Sequence, residues 1–173
     1  GLGDVYKRQG VLLPVTSLPS KYGIGCFDQA AYDFVDWLQK AGQRYWQILP
    51  LGPTGYGDSP YQSFSTFAGN PYFIDPETLV EEGLLNLHEC EDSMPAETVE
   101  ETSIDYEWLY QHRFALLHQA FLRFKPDADY DRFLAENEDW LTDYCLYMAI
   151  KASQGNVSFI EWKDEYRNRD PKA

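Results

Sequence analysis

The chain has 173 residues, 44% of them hydrophobic, which is enough to bury the core of a globular domain. Its 28 acidic and 14 basic residues give a net charge of −14, and Lys and Arg are nowhere clustered. Because a nucleic acid or an anionic membrane surface attracts clustered positive charge, neither is an expected partner, whereas a neutral substrate suits this composition.

The first predicted elements follow a segment that looks foreign. Residues 1–9 lack the periodicity of the sequence after them and are interpreted as a non-native scar. Residues 10–13 form a short apolar run closed by Pro14, which is typical of a buried strand. Asp28 is a predicted N-cap for a helix over residues 29–41. The apolar side of this helix is predicted to comprise Ala30, Phe34, Trp37, Leu38 and Ala41.

A second strand is predicted over residues 45–49, which are aromatic and branched and stop at Pro50. Strand, helix and strand within so short a stretch predict a parallel βαβ unit with a right-handed crossover. Such a unit begins either an α/β barrel or an open α/β sheet, and in both the ligand binds beyond the carboxyl ends of the strands. Here those ends open onto the loops at residues 14–27 and 50–75.

The pattern becomes helical after residue 77. A short helix is predicted over residues 77–84, an exposed acidic loop over 86–103, and a helix over 130–153 with a break near Glu138. Residues 106–124 predict another helix, with the apolar side chains Trp108, Leu109, Phe114, Leu117, Phe121 and Phe124. Since a regular α/β barrel returns to a strand much sooner, these helices are interpreted as an insertion after the second strand.

The loop at residues 50–71 contains four Gly and four Pro, which indicates a shaped backbone. It lacks the Gly-x-x-x-x-Gly-Lys pattern of a phosphate cradle, and it contains no Lys or Arg. Sugars require an aromatic face for stacking and neutral donors and acceptors for their hydroxyls. The loop offers such groups at Tyr56, Asp58, Ser59, Tyr61, Gln62, Ser63 and Asn70.

Two interpretations remain open for Asp58 and Asp75. They are either paired carboxylates for acid/base chemistry or turn residues that cap their own backbone. The histidines lack a nucleophilic Ser or Cys partner, so surface or packing roles are expected for His88, His112 and His118. The residues alone therefore predict an α/β enzyme for a neutral polyhydroxylated ligand.

The three cysteines are too few and too irregularly spaced for a disulfide framework or a zinc site. They are predicted to be free thiols in a reducing compartment, the cytoplasm. No apolar run approaches the roughly 18 residues needed to span a bilayer. The cysteines are Cys26, Cys90 and Cys145.

One long segment resembles a known family. Residues 44–63 read RYWQILPLGPTGYGDSPYQS and residues 67–71 read FAGNP, and both closely resemble the N-terminal signature of the 4-α-glucanotransferases, glycoside hydrolase family 77. TSLP at residues 16–19 and YGIG at residues 22–25 match the preceding family motif. The resemblance extends over about residues 10–170.

The resemblance implies an α/β fold: the N-terminal part of a (β/α)8 TIM barrel of the α-amylase-like type, with a mainly helical insertion after the second strand. It implies a first βαβ unit with its substrate loop over residues 10–76 and a truncated helical subdomain over residues 77–173. The implied reaction transfers α-1,4-glucan segments from a donor maltodextrin to the 4-hydroxyl of an acceptor glucan by a retaining mechanism, without cofactor or metal. Maltooligosaccharides and α-1,4-glucans are then the partners.

The family's catalytic carboxylates come from later barrel strands, so the resemblance implies no catalytic residue in this chain and places them beyond residue 173. What it carries over is substrate contact: Ser59 and Tyr61 in the cleft, and Tyr56 and Tyr110 at a secondary groove. Asp58 is a motif residue of the loop and is assigned to substrate binding with them. For Tyr110 a place in the core is the alternative.

Three hypotheses remain open for the function. The chain is a fragment of a glucanotransferase, a non-catalytic maltodextrin-binding remnant, or part of an α-glucan hydrolase of the same fold. An open two-stranded edge suits an independent binding module poorly.

Many family members have His-Pro where this chain has Pro14-Val15, so the sugar contacts at this point are expected to differ.

Overall fold

The structure is a computed structural model of the chain, and it describes residues 9–55, 57–95, 103–170 and 172. The chain divides into two compact units, Gly1–Lys125 and Pro126–Ala173. The division predicted between residues 76 and 77 stays a prediction. In neither unit does a described helix combine the length and the apolar character that crossing a membrane requires.

The first unit begins with the predicted βαβ arrangement. Strands β1 (Gly10–Leu12) and β2 (Tyr45–Gln47) pair in parallel, and helix α1 (Gln29–Lys40) connects them. Gly10 lies opposite Tyr45, and a Cβ atom on Gly10 would come within 2.6 Å of the Tyr45 carbonyl oxygen. The close approach of the two strands therefore requires glycine at this position.

The prediction of a buried strand over residues 10–13 is wrong. Leu12 and Tyr45 are exposed, whereas Val11 and Trp46 are half-buried, so burial alternates along each strand. Within the described residues the sheet has two strands, so one edge of each strand lacks a neighbour. The alternation is that of a sheet covered on one face.

Helix α1 begins where it was predicted to begin. The Asp28 carboxylate accepts hydrogen bonds from the backbone N–H groups of Ala30 and Ala31, at 3.0 and 3.3 Å. The predicted apolar face is partly wrong, because the helix buries Ala31 and Leu38 whereas Trp37 is 56% exposed. Ala31 packs against Val15, Leu18 and Phe73, so the position of this cluster sets the rotation of the helix.

The described part of the first unit also contains three further α-helices: α2 (Pro76–Glu81), α3 (Leu87–Asp92) and α4 (Tyr106–Arg123). Helix α3 lies in the segment predicted to be an exposed loop, and that prediction is therefore wrong for residues 87–92. Asn86 and Glu89 form a capping box, in which each side chain accepts a hydrogen bond from the other residue's backbone N–H. Residues 96–102 of the predicted loop lie outside the described residues.

The buried face of α4 differs from the predicted one. Leu109 is buried as expected, but Phe121 is 68% exposed and Phe114 is 40% exposed. The residues buried at successive helical turns are Leu109, Arg113, Leu116 and Ala120. A cationic residue in the middle of this face interrupts the hydrophobic pattern, which is why the periodicity of apolar residues indicated the wrong side.

Arg113 is 3% exposed, and its hydrogen-bond partners are backbone carbonyls. The guanidinium donates to the carbonyl oxygens of Ile74, at 2.9 Å, and Tyr22, at 3.2 Å. It also lies 5.7 Å from the centre of the Tyr22 ring. Burial lowers the pKa of Arg113, and the two carbonyls offset part of the desolvation cost. One side chain of α4 thus joins the loop after β1 to the turn before α2.

The second unit contains α5 (Ala128–Glu136), α6 (Glu138–Ser153) and α7 (Asp164–Arg167). The predicted break near Glu138 is confirmed, because α5 and α6 are separated at Asn137. The Asn137 side chain donates to the Phe133 carbonyl and accepts from the Trp140 indole N–H. Among the described residues of this unit, one hydrophobic side chain is buried, that of Trp162. The rings of Tyr147 and Phe159 pack against it.

We predict that replacing Arg113 destabilises the first unit. In Arg113→Met the carbonyls of Ile74 and Tyr22 lose their buried donor, which should lower the free energy of unfolding by about 1–3 kcal/mol. Urea denaturation followed by tryptophan fluorescence measures the change. Arg44→Met, at an exposed arginine of the same unit, is the control and should stay within about 0.5 kcal/mol. Equal losses in both variants would contradict the assignment.

A second prediction concerns pH. Arg123 forms two hydrogen bonds with Glu89, at 2.7 and 2.6 Å, and lowers the pKa of Glu89 from 4.5 to about 2. Because the folded-state pKa is depressed, the stabilisation by Glu89 is complete above pH 4.5 and is lost as the pH falls towards 2. Glu89→Gln should therefore be less stable than the parent chain at pH 6, and this difference should shrink on acidification. Acid titrations monitored by circular dichroism measure this difference. The control is Glu91→Gln on the same helix, at a glutamate without an ion pair in the described structure, and its stability at pH 6 should stay close to that of the parent chain.

Candidate functional site

The loop after β2 is closed at its base by hydrogen bonds. The backbone N–H of Asn70 donates to the Leu51 carbonyl at 2.8 Å, and Thr54 pairs with Ser63 in an isolated antiparallel bridge. Asn70 is buried, and its side-chain oxygen accepts from the Tyr72 N–H at 3.0 Å. These contacts support the prediction of a shaped loop.

The tip of this loop contains two consecutive residues in the left-handed region. Gly57 has a φ of 84° and Asp58 a φ of 53°. The Asp58 N–H donates to the Gly55 carbonyl at 3.2 Å, which closes the turn. Aspartate tolerates this conformation better than most residues, but a left-handed non-glycine residue is uncommon and often marks a functional position. Tyr56, a predicted site residue, lies outside the described residues.

A cavity of about 220 Å³ opens beyond the carboxyl ends of β1 and β2. The expectation that the loops after the two strands line one site is met by this cavity. Its walls come from the residues after β1, the residues after β2, the loop between residues 50 and 71, and the first residue of α4. The lining residues are Pro14, Val15, Thr16, Leu49, Pro50, Leu51, Thr54, Asp58, Pro60, Asn70, Phe73 and Tyr106.

The cavity combines apolar walls with several polar groups that make no hydrogen bond to the described residues. Within the described part of the chain, no hydrogen bond is made by the Tyr106 hydroxyl, the Asp58 carboxylate or the Asn70 side-chain NH₂. The hydroxyls of Thr16 and Thr54 also make none there. These groups are available to water or to a ligand, and Asp58 is the single charged residue in the wall.

The negative charge of Asp58 affects the pKa values of two nearby tyrosines. Burial, with a smaller contribution from the Asp58 carboxylate, raises the pKa of Tyr72 to about 12 and also raises the pKa of Tyr106. The two rings lie with their centres 6.1 Å apart. Both phenols therefore stay protonated at neutral pH, and each can donate a hydrogen bond.

The structure brings some of the predicted site residues together. Asp58 lines the cavity, whereas Ser59 and Tyr61 follow it on the loop without lining the wall. The Ser59 hydroxyl accepts from the Tyr61 N–H at 3.3 Å, and Tyr61 is 72% exposed. Tyr110 is 56% exposed on α4, one turn after Tyr106, so the alternative of a core position for Tyr110 is wrong.

The alternative of Asp58 and Asp75 as paired carboxylates is not supported. The Asp75 carboxylate accepts from the N–H groups of Glu77 and Thr78 and from the Thr78 hydroxyl, as the N-cap of α2. Asp75 is also absent from the described wall of the cavity. Its side chain serves the helix end, which is the capping interpretation made from the sequence.

Sequence reasoning missed Tyr106 as a cavity residue. Asp105 was available as a signal, because its carboxylate accepts from the Trp108 N–H at 2.9 Å and thereby fixes the start of α4 at Tyr106. A helix start does not reveal which distant loop the first side chain faces. Only the folded chain places Tyr106 beside Asp58.

Residues 13–173 match the sequence profile of glycoside hydrolase family 77, described as 4-alpha-glucanotransferase. The chain belongs to this family. It is 50% identical over 162 residues to a 4-alpha-glucanotransferase of Streptococcus pneumoniae, covering 91% of this chain and 32% of that relative. A relative from Thermus thermophilus is 45% identical over 170 residues, covering 95% of this chain and 33% of the relative.

A solved structure agrees with this assignment. The amylomaltase from Streptococcus agalactiae in complex with acarbose superimposes with a TM-score of 0.83 and is 40% identical, covering 92% of this chain and 32% of that chain. The predicted family and the predicted fold class, the N-terminal part of a TIM barrel, are thereby confirmed. This family 77 chain spans about a third of the length of the relatives it matches.

We predict that Gly25 is required for the cavity wall. A Cβ atom on Gly25 would come within 2.1 Å of the carbonyl oxygen of Val15, a wall residue. Gly25→Ala should therefore displace this wall and lower the free energy of unfolding by about 1–3 kcal/mol in urea denaturation. Gly69→Ala is the matched control, because a Cβ atom there meets nothing within 4 Å, and it should leave stability unchanged. A stable Gly25→Ala chain would show that the wall can move aside.

Proposed function

We propose that this chain is the N-terminal part of a 4-α-glucanotransferase and contributes a binding surface for α-1,4-glucan. The single observation that carries the proposal is the cavity at the strand ends, where several polar groups make no hydrogen bond within the described residues. Family membership and the names of the relatives support the reaction, in which a glucan segment passes from a donor maltodextrin to the 4-hydroxyl of an acceptor.

The chemistry of the cavity suits a sugar. Proline and aliphatic side chains give an apolar surface for the C–H face of a pyranose ring, and hydroxyl, amide and phenol groups suit its hydroxyls. The volume of about 220 Å³ is below the roughly 300–1,000 Å³ of pockets for drug-sized ligands. It therefore favours one glucosyl ring of a chain that continues outside the cavity.

Two of the other proposed contacts are tyrosines with a large exposed surface. Tyr61 and Tyr110 are strongly exposed for aromatic residues, as a stacking surface for sugar rings requires. Ser59 lies between Asp58 and Tyr61 on the loop. We propose Tyr56, Asp58, Ser59, Tyr61 and Tyr110 as glucan-contacting residues.

The number of carboxylates limits what this chain does alone. A retaining mechanism uses one carboxylate as the nucleophile and a second as the acid and base, about 5 Å from the first. In the described wall of the cavity Asp58 is the one carboxylate. This supports a division in which residues 10–173 bind glucan while the catalytic carboxylates belong to the remainder of the family's barrel.

We also propose a cytoplasmic location. The three cysteines are free thiols, and Cys145 is exposed. An exposed thiol persists most readily where the environment is reducing. α-1,4-Glucans remain the proposed partners, and nucleic acids and membranes remain predicted non-partners.

The experiment is a ligand-observed NMR titration of the purified chain, together with an assay on maltotriose. Saturable binding of maltotetraose is expected, with much weaker binding of cellotetraose, whose β-1,4 linkages present the rings differently. No conversion of maltotriose is expected, because the second carboxylate is missing from the described cavity wall.

Each other outcome has a distinct meaning. Absence of saturable maltotetraose binding would overturn the proposed glucan-binding role. An increase in reducing ends would favour the hydrolase hypothesis, since transfer conserves their number. Glucose and longer maltodextrins at a constant number of reducing ends would show that the catalytic groups lie within this chain.

A further inference from the structure

We propose that Tyr106 and Asp58 together bind one hydroxyl group of the glucosyl ring in the cavity, so that α4 forms part of the substrate site. The proposal rests on the proposed glucan-binding function and names a residue pair for it. It gives helix α4 a direct role in the recognition of the sugar.

The position of Tyr106 is fixed from two sides. Asp105 caps α4, and Tyr106 is its first helical residue. The Tyr106 ring packs with the cluster formed by Ile24, Tyr72 and Leu109, and it is half-buried. Since the ring is held by packing, its hydroxyl is presented to the cavity at little entropic cost on binding.

The position of Asp58 is fixed by the backbone. The Gly57–Asp58 turn has two consecutive positive φ angles and is closed by the hydrogen bond from the Asp58 N–H to the Gly55 carbonyl. This turn places an aspartate in the wall, although glycine would adopt the same backbone more easily. A strained residue whose carboxylate has no protein donor in the described structure fits a ligand-binding role.

The two groups are chemically complementary. An ionised carboxylate only accepts hydrogen bonds, whereas a protonated phenol can donate one. An ordinary tyrosine is already protonated at neutral pH, and burial together with the negative charge of Asp58 raises the pKa of Tyr106 further. A sugar hydroxyl both donates and accepts, so a hydroxyl between them can donate to Asp58 and accept from Tyr106.

A sugar hydroxyl bound by both residues also accounts for the lack of hydrogen bonds from these two side chains to the described residues. Neither the Asp58 carboxylate nor the Tyr106 hydroxyl makes a hydrogen bond within the described ranges, although each lines the same cavity. Removing the Tyr106 hydroxyl should therefore cost little stability. It should cost affinity only when the ligand is a sugar that uses it.

The test is a maltotetraose titration of four variants of the chain. Tyr106→Phe keeps the ring and its packing and should weaken binding about three- to tenfold, the loss expected for one neutral hydrogen bond. Asp58→Asn removes the charge and should weaken binding about tenfold or more. The control is Tyr32→Phe, at a tyrosine that is 68% exposed on α1, and it should bind within about twofold of the parent chain.

The double variant Tyr106→Phe/Asp58→Asn tests whether one hydroxyl bridges the pair. Its loss should be smaller than the product of the two single losses, because the second substitution removes a bond already weakened by the first. Thermal unfolding midpoints of Tyr106→Phe and the parent chain should coincide. This separates lost recognition from lost folding.

The outcomes separate this inference from the function on which it rests. If the parent chain binds maltotetraose and Tyr106→Phe binds equally well, the inference is overturned while the proposed function stands. Losses that multiply in the double variant would overturn the shared hydroxyl. If the parent chain shows no saturable binding, the proposed function fails and the inference fails with it.

Discussion

One side chain, Trp46, holds together the elements that position the cavity. Its indole N–H donates to the Leu13 carbonyl at 2.8 Å, directly after β1, while its own backbone lies in β2. Its ring meets Phe34 of α1 edge to face, with centres 5.0 Å apart. Because both strands then end side by side, the loops that follow them face one another, and the cavity forms between these loops.

Two side chains of α4 connect this helix to the segments around the cavity. Arg113 donates to carbonyls in the segments after β1 and before α2, and Tyr106 reaches the cavity wall. Burying a guanidinium costs free energy unless hydrogen bonds compensate for its lost hydration, and these two carbonyls provide such bonds. Helix α4 therefore both connects the segments around the cavity and contributes to its wall.

The proposed function separates glucan binding by this chain from the chemistry of the family's catalytic carboxylates. The described cavity wall has one carboxylate and many neutral groups, a composition that suits the proposed role of orienting a sugar. Orientation alone supplies a large part of the rate enhancement in glycosyl transfer, because it converts a bimolecular encounter into a positioned one. Residues that never touch the reacting bond can thus control turnover.

The family, the βαβ order and several helix ends could be predicted from the sequence, because family motifs and capping residues are local features of the chain. Asp28 and the break at Asn137 were readable from neighbouring residues, as the capping box of Asn86 and Glu89 would have been. Which faces of α1 and α4 are buried depends on tertiary packing, because several faces of each helix are apolar enough to be buried. The presence of Tyr106 and Asp58 in one cavity wall also could not be predicted from sequence patterns, because it depends on how distant segments pack in three dimensions.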